Sequence, residues 1–204
     1  ALHEQNTIPG LVNRFLASRC DRVFATFESS VAHFRGADCM VTGLPLRREI
    51  LNALDRRAPR GRSEVPFVLL TGGSQGARKM VEAALQAFQQ VKDRGLVFRA
   101  RVQTGERNYE WALSLPRPQE VELAPFIHDM ASAYEETDLI VDRAGSGSLS
   151  EIALWGIPSI LIPYPFASEN HQRENARSFE NAGAAWLIEE STLTPESLDR
   201  KSVV

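Results

Sequence analysis

The chain has 204 residues, of which 43% are hydrophobic and 24% are charged, and its formal net charge is −3. This length and composition predict a globular protein of one domain, or of one domain with an appendage. The slight acidity argues against nucleic acid as a partner, because phosphate binding needs a surplus of Lys and Arg on one face. No apolar run approaches the roughly 18 to 20 residues that are needed to span a bilayer.

Apolar, β-branched segments alternate along the chain with longer amphipathic segments. This alternation predicts βα units that build a parallel sheet, and we expect a doubly wound α/β fold. The predicted strands are Val23–Phe27, Cys39–Thr42, Pro66–Thr71, Val97–Gln103, Glu120–Leu123, Asp138–Asp142, Ser159–Pro163 and Ala185–Ile188. The helical patterns between them include Ala77–Val91, Asp129–Glu136, Leu149–Trp155 and His171–Ala182.

A domain boundary is predicted near Pro45. The segment from Gly43 to Arg47, the helix after it and the Arg-, Pro- and Gly-rich run at 56–62 are typical of a connection rather than of another βα unit. Only about two predicted strands precede this boundary, and these are too few for a domain. We therefore expect residues 1–45 to be the remnant of an N-terminal domain, and residues 46–204 to form a C-terminal domain that is itself truncated.

The two cysteines, Cys20 and Cys39, stand 19 positions apart and lack the spacing of a zinc site or of a disulfide framework. A reducing compartment fits this usage best. The first six residues begin within a polar motif and contain no initiator Met, so we do not expect Ala1 to be a natural N-terminus.

The first glycine-rich turn follows the predicted strand that ends at Thr71. Its glycines surround Ser74, so backbone amides and a hydroxyl could approach an anion at the start of the next helix. The turn has neither the GxxxxGK[ST] pattern of a P-loop nor the GxGxxG pattern of a dinucleotide site. A merely structural turn is the alternative.

A second turn of small residues runs from Arg143 to Glu151, again between a strand and a helix. We expect Glu151 in the first turn of that helix, where its carboxylate could accept both hydroxyls of a ribose. Alternatively, it only complements the helix dipole. Two such turns at the carboxyl ends of one parallel sheet predict a binding site in the crevice of that sheet.

Two further segments carry polar groups at strand exits. The exit at 124–130 could read a base through its backbone, while Asp129 could at the same time cap the next helix. A Pro-rich loop at 162–167 precedes a helix whose first turn carries His171, Gln172 and Asn175. The last two suit hydrogen bonding to sugar hydroxyls, whereas a lone His at this position is more typical of a cap or a surface residue.

Six motifs follow one another along the chain: His-Glu-Gln-Asn at 3–6 with Pro-Gly-Leu at 9–11, Gly-x-Pro-x-Arg at 43–47, Gly-Gly-Ser-Gln-Gly-Ala-Arg at 72–78, Phe-Ile-x-Asp-Met at 126–130, the Arg-Ala-Gly to Ser-Glu turn at 143–151, and His-Gln-x-x-Asn-Ala at 171–176. In this order they resemble the MurG family, the UDP-N-acetylglucosamine transferases that convert lipid I to lipid II in peptidoglycan synthesis. The resemblance covers essentially the whole chain. It implies the GT-B architecture, in which two Rossmann-like domains face each other across a cleft and the C-terminal one holds UDP-GlcNAc.

The resemblance also implies which residues contact the donor. The implied residues are Ser74, Ser148 and Leu149 for the diphosphate, Ile127 and Arg47 for uracil, Glu151 for the ribose diol, and Gln172, Asn175 and Asn6 for the sugar. Small departures from the family pattern are Leu44, Leu46 and Gly147, and the extra glycine is expected to loosen its turn.

The implied reaction is an inverting displacement, in which the C4 hydroxyl of the lipid-linked muramyl sugar attacks the anomeric carbon and UDP leaves. Because negative charge grows on the diphosphate, fixed amides and helix ends stabilise the transition state, and we expect neither a metal nor another cofactor. A general base is still needed. The family's N-terminal loop with its proposed histidine base is not in this sequence, and His3 and Glu4 are the only base-like residues on the acceptor side. The base therefore stays unassigned.

The implied partners of a full-length parent are UDP-GlcNAc and lipid I. The resemblance further implies peripheral association with the cytoplasmic face of the bacterial inner membrane through the missing N-terminal domain, and a role in cell-wall biogenesis, cell shape and cell division. The chain alone is expected at most to bind the donor. Two alternatives stay open: a non-catalytic UDP-sugar-binding subunit of a split glycosyltransferase, and another GT-B enzyme such as a UDP-GlcNAc 2-epimerase or a diacylglycerol glycosyltransferase.

Overall fold

A computed structural model of the chain describes residues 1–56, 64–72, 77–167 and 170–202. A small parallel sheet near the N-terminus has the strand order β1-β2-β3. Its strands are β1 (Leu2–Glu4), β2 (Val23–Ala25) and β3 (Cys39–Val41), and they are connected by α1 (Leu11–Ala17) and α2 (Glu28–Val31).

Within the described ranges, the larger sheet has six parallel strands in the order β6-β5-β4-β7-β8-β9. Its strands are β4 (Phe67–Thr71), β5 (Arg99–Gln103), β6 (Val121–Ala124), β7 (Leu139–Asp142), β8 (Ser159–Leu161) and β9 (Ala185–Leu187). The remaining helices are α3 (Arg48–Asp55), α4 (Arg78–Asp93), α5 (Tyr109–Leu113), α6 (Met130–Glu136), α7 (Ser146–Trp155), α8 (His171–Asn181) and α9 (Pro195–Ser202).

The strand order of the larger sheet reverses at its centre. From β4 the chain first builds outward through β5 and β6, and then returns to the other side of β4 with β7, β8 and β9. Thr71 and Asp142, the last residues of β4 and β7, stand side by side in register at the point of reversal. In open parallel sheets, the loops on the two sides of such a switch point diverge and leave a crevice at the carboxyl edge.

Helices cover both faces of the larger sheet. On one face α4 buries Met80, Leu85 and Phe88 and packs against α9. On the other face α3, α6 and α7 contribute Ile50, Tyr134 and Trp155 to a second apolar cluster. Since α3 shares this cluster, it packs with the larger sheet, and the predicted boundary at 45 falls between β3 and α3. No helix in the described ranges is long and apolar enough to cross a membrane.

The predicted doubly wound α/β class is confirmed, and each predicted strand corresponds to a strand of the structure. The strand β1 was not predicted, because three residues of a polar motif give no clear period, and the helix α1 was not predicted either. The predicted strand at Val97 begins only at Arg99, and Val97 itself is exposed.

One expectation about α7 was wrong. The helix begins at Ser146 instead of Leu149, because the Leu149 amide donates to the Gly145 carbonyl at 2.9 Å and so includes the small residues in the first turn. Glu151 consequently lies in the second turn of α7, where it complements no helix terminus and instead faces neighbouring side chains.

Candidate functional site

A cleft of about 910 Å³ lies at the carboxyl edge of the larger sheet, at the switch point between β4 and β7. Its walls come from the ends of three strands, from α6, α7 and the start of α8, from the N-cap residue of α3, and from the loops that follow β6 and β8. Among the predicted donor-site residues, Arg47, Ile127, Ser148, Glu151 and Gln172 line it. Five residues that are spread over 126 positions of sequence thus meet in one cavity.

Glu151 is held from two sides. Arg47 donates to it through Nε to Oε1 at 2.9 Å and through Nη2 to Oε2 at 2.8 Å, while the Tyr134 hydroxyl donates to Oε2 at 3.0 Å. The Glu151 side chain is 9% exposed, compared with 53% for Arg47. Because Oε1 accepts a single one of these bonds, it keeps a lone pair for a further donor such as a ribose hydroxyl.

Tyr134 stays a neutral donor in this arrangement. Burial is the first cause that raises the pKa of its hydroxyl, and the nearby carboxylates of Glu151 and Asp142 raise it further. The hydrogen bond to Glu151 is in turn the main reason why the pKa of Arg47 is raised. The Glu151 carboxylate therefore lies between a guanidinium and a hydroxyl group that both donate to it.

Asp142 lies at the bottom of the cleft and is 3% exposed. Its carboxylate accepts from the Thr71 hydroxyl at 2.6 Å, the Ser148 hydroxyl at 2.7 Å and the Ala144 amide at 2.8 Å. Burial raises the pKa of Asp142, and these hydrogen bonds oppose the rise. Together they fix the turn from β7 into α7, in which Ala144 adopts a left-handed φ of 65°.

The N-terminus of α7 opens into the cleft. Helix geometry leaves the amides of Ser146, Gly147 and Ser148 without an intrahelical acceptor, and aligned peptide dipoles add partial positive charge there. The Leu149 amide is already bonded within the helix, and its side chain is fully buried in the core. Of the two residues predicted at this helix start, Ser148 therefore lines the cleft and Leu149 supports it from behind.

Arg143 adds a guanidinium to the rim of the cleft. It forms an ion pair with Glu190, donates to the Ile162 carbonyl at 3.3 Å and lies 5.7 Å from the centre of the Tyr164 ring. Its charge is thus largely satisfied within the chain. The sequence indicated Arg143 only as part of a turn.

Gln172 lines the cleft and accepts from the Tyr164 amide through Oε1 at 2.8 Å, so its side-chain NH₂ is the group left to donate to a ligand. Asn175 instead is fully buried. Its Oδ1 accepts from both the amide and the hydroxyl of Thr7 at 3.0 Å, and its Nδ2 donates to Asn6 at 3.1 Å. Asn6 and Asn175, both predicted to bind the sugar, are thus bonded to each other.

A second cleft of about 470 Å³ lies beside β1 and is lined by Asn6 and His171, among others. It also contains both base-like residues that the sequence indicated. His3 donates through Nε2 to the Gly43 carbonyl at 3.1 Å. Glu4 accepts from the Asn6 amide at 2.8 Å and from Asn13 at 2.7 Å. Both side chains are engaged in holding the N-terminal segment.

Ser74 lies outside the described residues, as do its neighbours at 73, 75 and 76 and most of the basic run at 56–62. The site also contains residues that the sequence did not single out, above all Thr71, Tyr134 and Asp142. A polar residue that ends an otherwise apolar strand was the available signal for Thr71 and Asp142. Tyr134 gave no such signal, because an aromatic residue on a helix is usually part of the core.

Residues 67–202 match the family described as the glycosyltransferase family 28 C-terminal domain. A curated relative from Desulforamulus reducens is 40% identical over 211 residues, which cover 97% of this chain and 56% of the relative. That relative is named UDP-N-acetylglucosamine–N-acetylmuramyl-(pentapeptide) pyrophosphoryl-undecaprenol N-acetylglucosamine transferase.

Solved structures agree with this similarity. Acinetobacter baumannii MurG has a TM-score of 0.77 at 29% identity, and the match covers 98% of this chain and 56% of that one. CalG4, the calicheamicin glycosyltransferase, has a TM-score of 0.63 at 16% identity over 89% of this chain and 44% of that one, which shows the fold alone. The predicted resemblance and the GT-B fold class are confirmed. The chain spans about half the length of the curated relatives it matches.

Proposed function

Because this chain belongs to the glycosyltransferase family 28 C-terminal domains, matching that family over residues 67–202, we propose that it is the donor-binding half of a hexosyltransferase. The donor is UDP-GlcNAc, and the transfer is to the C4 hydroxyl of lipid I, which gives lipid II. The strongest support is the position of Ser148 and Glu151 on one helix that opens into the switch-point cleft. The site that binds the phosphate and the carboxylate that accepts from the ribose diol are thereby held at a fixed distance from each other.

The proposed orientation of the donor follows from the chemistry of the walls. The diphosphate binds at the N-terminus of α7, where free amides and the helix dipole favour an anion. The ribose hydroxyls donate to Glu151, and uracil lies between Ile127 and Arg47. The sugar then points toward the NH₂ group of Gln172. Ser74 is assigned to the diphosphate by the resemblance alone.

Catalysis in this proposal rests on charge that develops as UDP leaves. The amides of α7 are fixed before the reaction and stabilise the leaving diphosphate more strongly as its charge grows. Asn175 bonds to Thr7 and to Asn6, which lines the second cleft beside β1. Neither His3 nor Glu4 is assigned as the base.

The division of the chain also belongs to this proposal. Residues 1–45 are assigned to an acceptor-side domain and residues 46–204 to the donor domain. Lipid I as acceptor, peripheral association with the cytoplasmic face of the bacterial inner membrane, and roles in cell shape and division follow from the same assignment.

Calorimetry of the 204-residue chain with UDP-GlcNAc, with UDP and with ADP tests donor binding. We expect saturable binding of both uridine nucleotides and much weaker binding of ADP, since the purine does not fit a site that reads uracil. Equal affinity for ADP would contradict the assignment of the base site.

Transfer is tested with lipid I and labelled UDP-GlcNAc. We expect labelled lipid II from a chimera that fuses this chain behind the N-terminal half of the Desulforamulus reducens relative, and none from the chain alone. Transfer on simply mixing the two polypeptides would instead favour a split enzyme. ManNAc formed from UDP-GlcNAc alone would indicate an epimerase.

A further inference from the structure

Asp142 has no role in the donor contacts proposed so far, although it lies at the phosphate end of the cleft. It is a carboxylate with 3% exposure, placed directly beneath the N-terminus of α7. A negative charge at this place opposes the binding of a diphosphate. A buried carboxylate at this place is therefore compatible with diphosphate binding only if its charge is offset or neutralised when the donor binds.

The hydrogen bonds of Asp142 decide where two hydroxyl protons point. Thr71 and Ser148 each carry one hydroxyl proton. Thr71 donates it to Asp142 Oδ2 at 2.6 Å, and Ser148 donates it to Asp142 Oδ1 at 2.7 Å. The Ser148 hydroxyl also has a second, more distant acceptor, the Gly145 carbonyl at 3.0 Å. While Asp142 is ionised, the Ser148 proton therefore points into the turn, and only lone pairs, which repel a phosphate oxygen, face the cleft. The hydroxyl best placed to bind the diphosphate is thus turned away from it.

The charges around Asp142 do not offset it. From α6 it is faced by Tyr134, which is neutral, and from α7 by Glu151, which is bound to Arg47 of α3. Its neighbour Arg143 is paired with Glu190, and β4 and β8 bring Thr71 and the apolar Leu161, which do not titrate. Among the described residues that line the cleft, both arginines therefore already have a carboxylate partner.

We propose that Asp142 is a positioning residue that takes up one proton from solvent when the diphosphate of the donor binds, and that this proton turns the Ser148 hydroxyl toward the phosphate. The carboxylic O–H of Asp142 then donates to the Ser148 oxygen. The Ser148 O–H donates to a phosphate oxygen, which as a charged acceptor is preferred over the Gly145 carbonyl. One proton is taken from water and no covalent bond between heavy atoms changes.

Electrostatics favours this uptake. The pKa of Asp142 is already raised by burial in the free chain. A bound diphosphate places further negative charge nearby, and a like charge raises the pKa of a carboxyl group still more. Binding and protonation must then favour each other by the same factor, because linkage is reciprocal.

The inference rests on the proposed function, since it assumes that the cleft binds a nucleoside diphosphate sugar. UDP-GlcNAc is the right probe for it. Unlike UDP, it has no terminal phosphate monoester with a second pKa of about 6, so the ligand itself does not titrate near neutral pH. Proton uptake is measured from the binding enthalpy of the unaltered chain in two buffers of different ionisation enthalpy.

Over a series from about pH 5 to about pH 9 we expect an uptake of up to one proton for each UDP-GlcNAc bound, greatest between the pKa values of Asp142 in the free and in the bound chain. The dissociation constant should rise over that interval by up to tenfold per pH unit. The matched variant Asp142→Asn has nearly the same shape and is neutral at every pH. Its amide oxygen takes the position that accepts from the Ala144 amide and faces Ser148, so the variant removes the titration and the negative charge beneath the diphosphate. Its affinity should not change with pH and should exceed that of the unaltered chain at the alkaline end.

Ser148→Ala separates the two parts of the proposal. It retains Asp142 but lacks the hydroxyl that is turned, so it should bind UDP-GlcNAc about 3- to 10-fold more weakly at the acidic end, where the unaltered chain has that hydroxyl available. Binding by the unaltered chain with no proton uptake and no change of affinity across the pH series would overturn the role of Asp142. A chain that binds no uridine nucleotide at any pH would instead overturn the proposed function.

Discussion

Arg47 and Glu151 meet in a two-pronged ion pair, with Nε at 2.9 Å from Oε1 and Nη2 at 2.8 Å from Oε2, although 104 positions separate them in sequence. The pair ties the segment before α3 to the floor of the cleft. Its carboxylate is almost buried while its guanidinium is half-exposed. Such a pair contributes modestly to stability, so we attribute its main effect to the orientation of Glu151.

Replacing Glu151 by Ala should weaken the binding of UDP by about 10- to 100-fold, because hydrogen bonds to a charged group contribute about 1.5–3 kcal/mol. The measurement is calorimetric titration of the folded variant. Tyr134→Phe is the matched control: it removes one donor to Glu151 but leaves the carboxylate and Arg47 in place, and it should change the affinity by less than about fivefold. Unchanged affinity in Glu151→Ala would remove the ribose role.

Comparison of UDP with 2′,3′-dideoxy-UDP makes the ribose assignment more specific. The unaltered chain should prefer UDP by the same factor of about 10 to 100, whereas Glu151→Ala should bind the two nucleotides about equally, because the group that distinguishes them is gone. If the variant still preferred UDP, another residue would be reading the diol.

Asn175→Ala should lower the free energy of unfolding by about 2–4 kcal/mol, because it leaves the buried amide and hydroxyl of Thr7 without their acceptor. Denaturation by urea measures this change. Asn6→Ala removes a single, partly buried bond to Asn175 and should cost about 1 kcal/mol or less. Equal losses in the two variants would contradict the buried role of Asn175.

Asp142 should make stability depend on pH. Its pKa is raised in the folded chain, whereas an unfolded Asp titrates at about 3.9. Between these two values the folded chain holds a proton that the unfolded chain has released, so its contribution to stability is full below about pH 3.9 and is lost as the pH rises through the folded pKa. Asp142→Asn cannot titrate and lacks this loss.

The stability of Asp142→Asn relative to the unaltered chain should therefore increase from about pH 4 upward and become constant above the folded pKa. Urea denaturation of both proteins, without nucleotide, over a series of pH values measures the difference. Because both proteins share all other titrating groups, the contributions of those groups to the free energy of unfolding cancel in the difference. A difference that does not vary with pH would show that Asp142 titrates alike in both states.

Two glycines of the same helix should respond in opposite directions. Gly147 lies in the first turn of α7, and no atom is within 4 Å of the position that a Cβ would take, so Gly147→Ala should stabilise the nucleotide-free chain by about 0.5–1 kcal/mol. Gly156 ends α7 with a φ of 63°, and Gly156→Ala should destabilise the chain by about 1–2 kcal/mol. Thermal unfolding of both variants checks the signs.

The sequence predicted the larger sheet well because its central strands are unmistakable. Phe67–Thr71 and Leu139–Asp142 are apolar runs that end in a polar residue, and small residues follow within two positions. That pattern fixes both the strands and the edge at which the site lies. Ile127, Ser148 and Gln172 all follow strand ends, and for this reason they were found together in the cleft.

The contacts that the sequence could not give are those between distant segments. Nothing near Asn175 indicates that its partner is Thr7, which lies 168 positions away. Nothing in the sequence near Tyr134 indicates its partner either, because its hydroxyl donates to Glu151, which lies on another helix. Local pattern shows which face of an element is apolar, but not which polar side chain meets which across the fold.

The bonds between Thr7 and Asn175 also have a consequence for the order in which the chain folds. They close a loop of 168 residues, and contacts of such long range form late and slow folding. The sheet of β1, β2 and β3 has only a small core of its own around Ala17, Val23 and Phe34. It should therefore acquire protection from amide hydrogen exchange after the larger sheet does, and be the first part of the molecule to lose it.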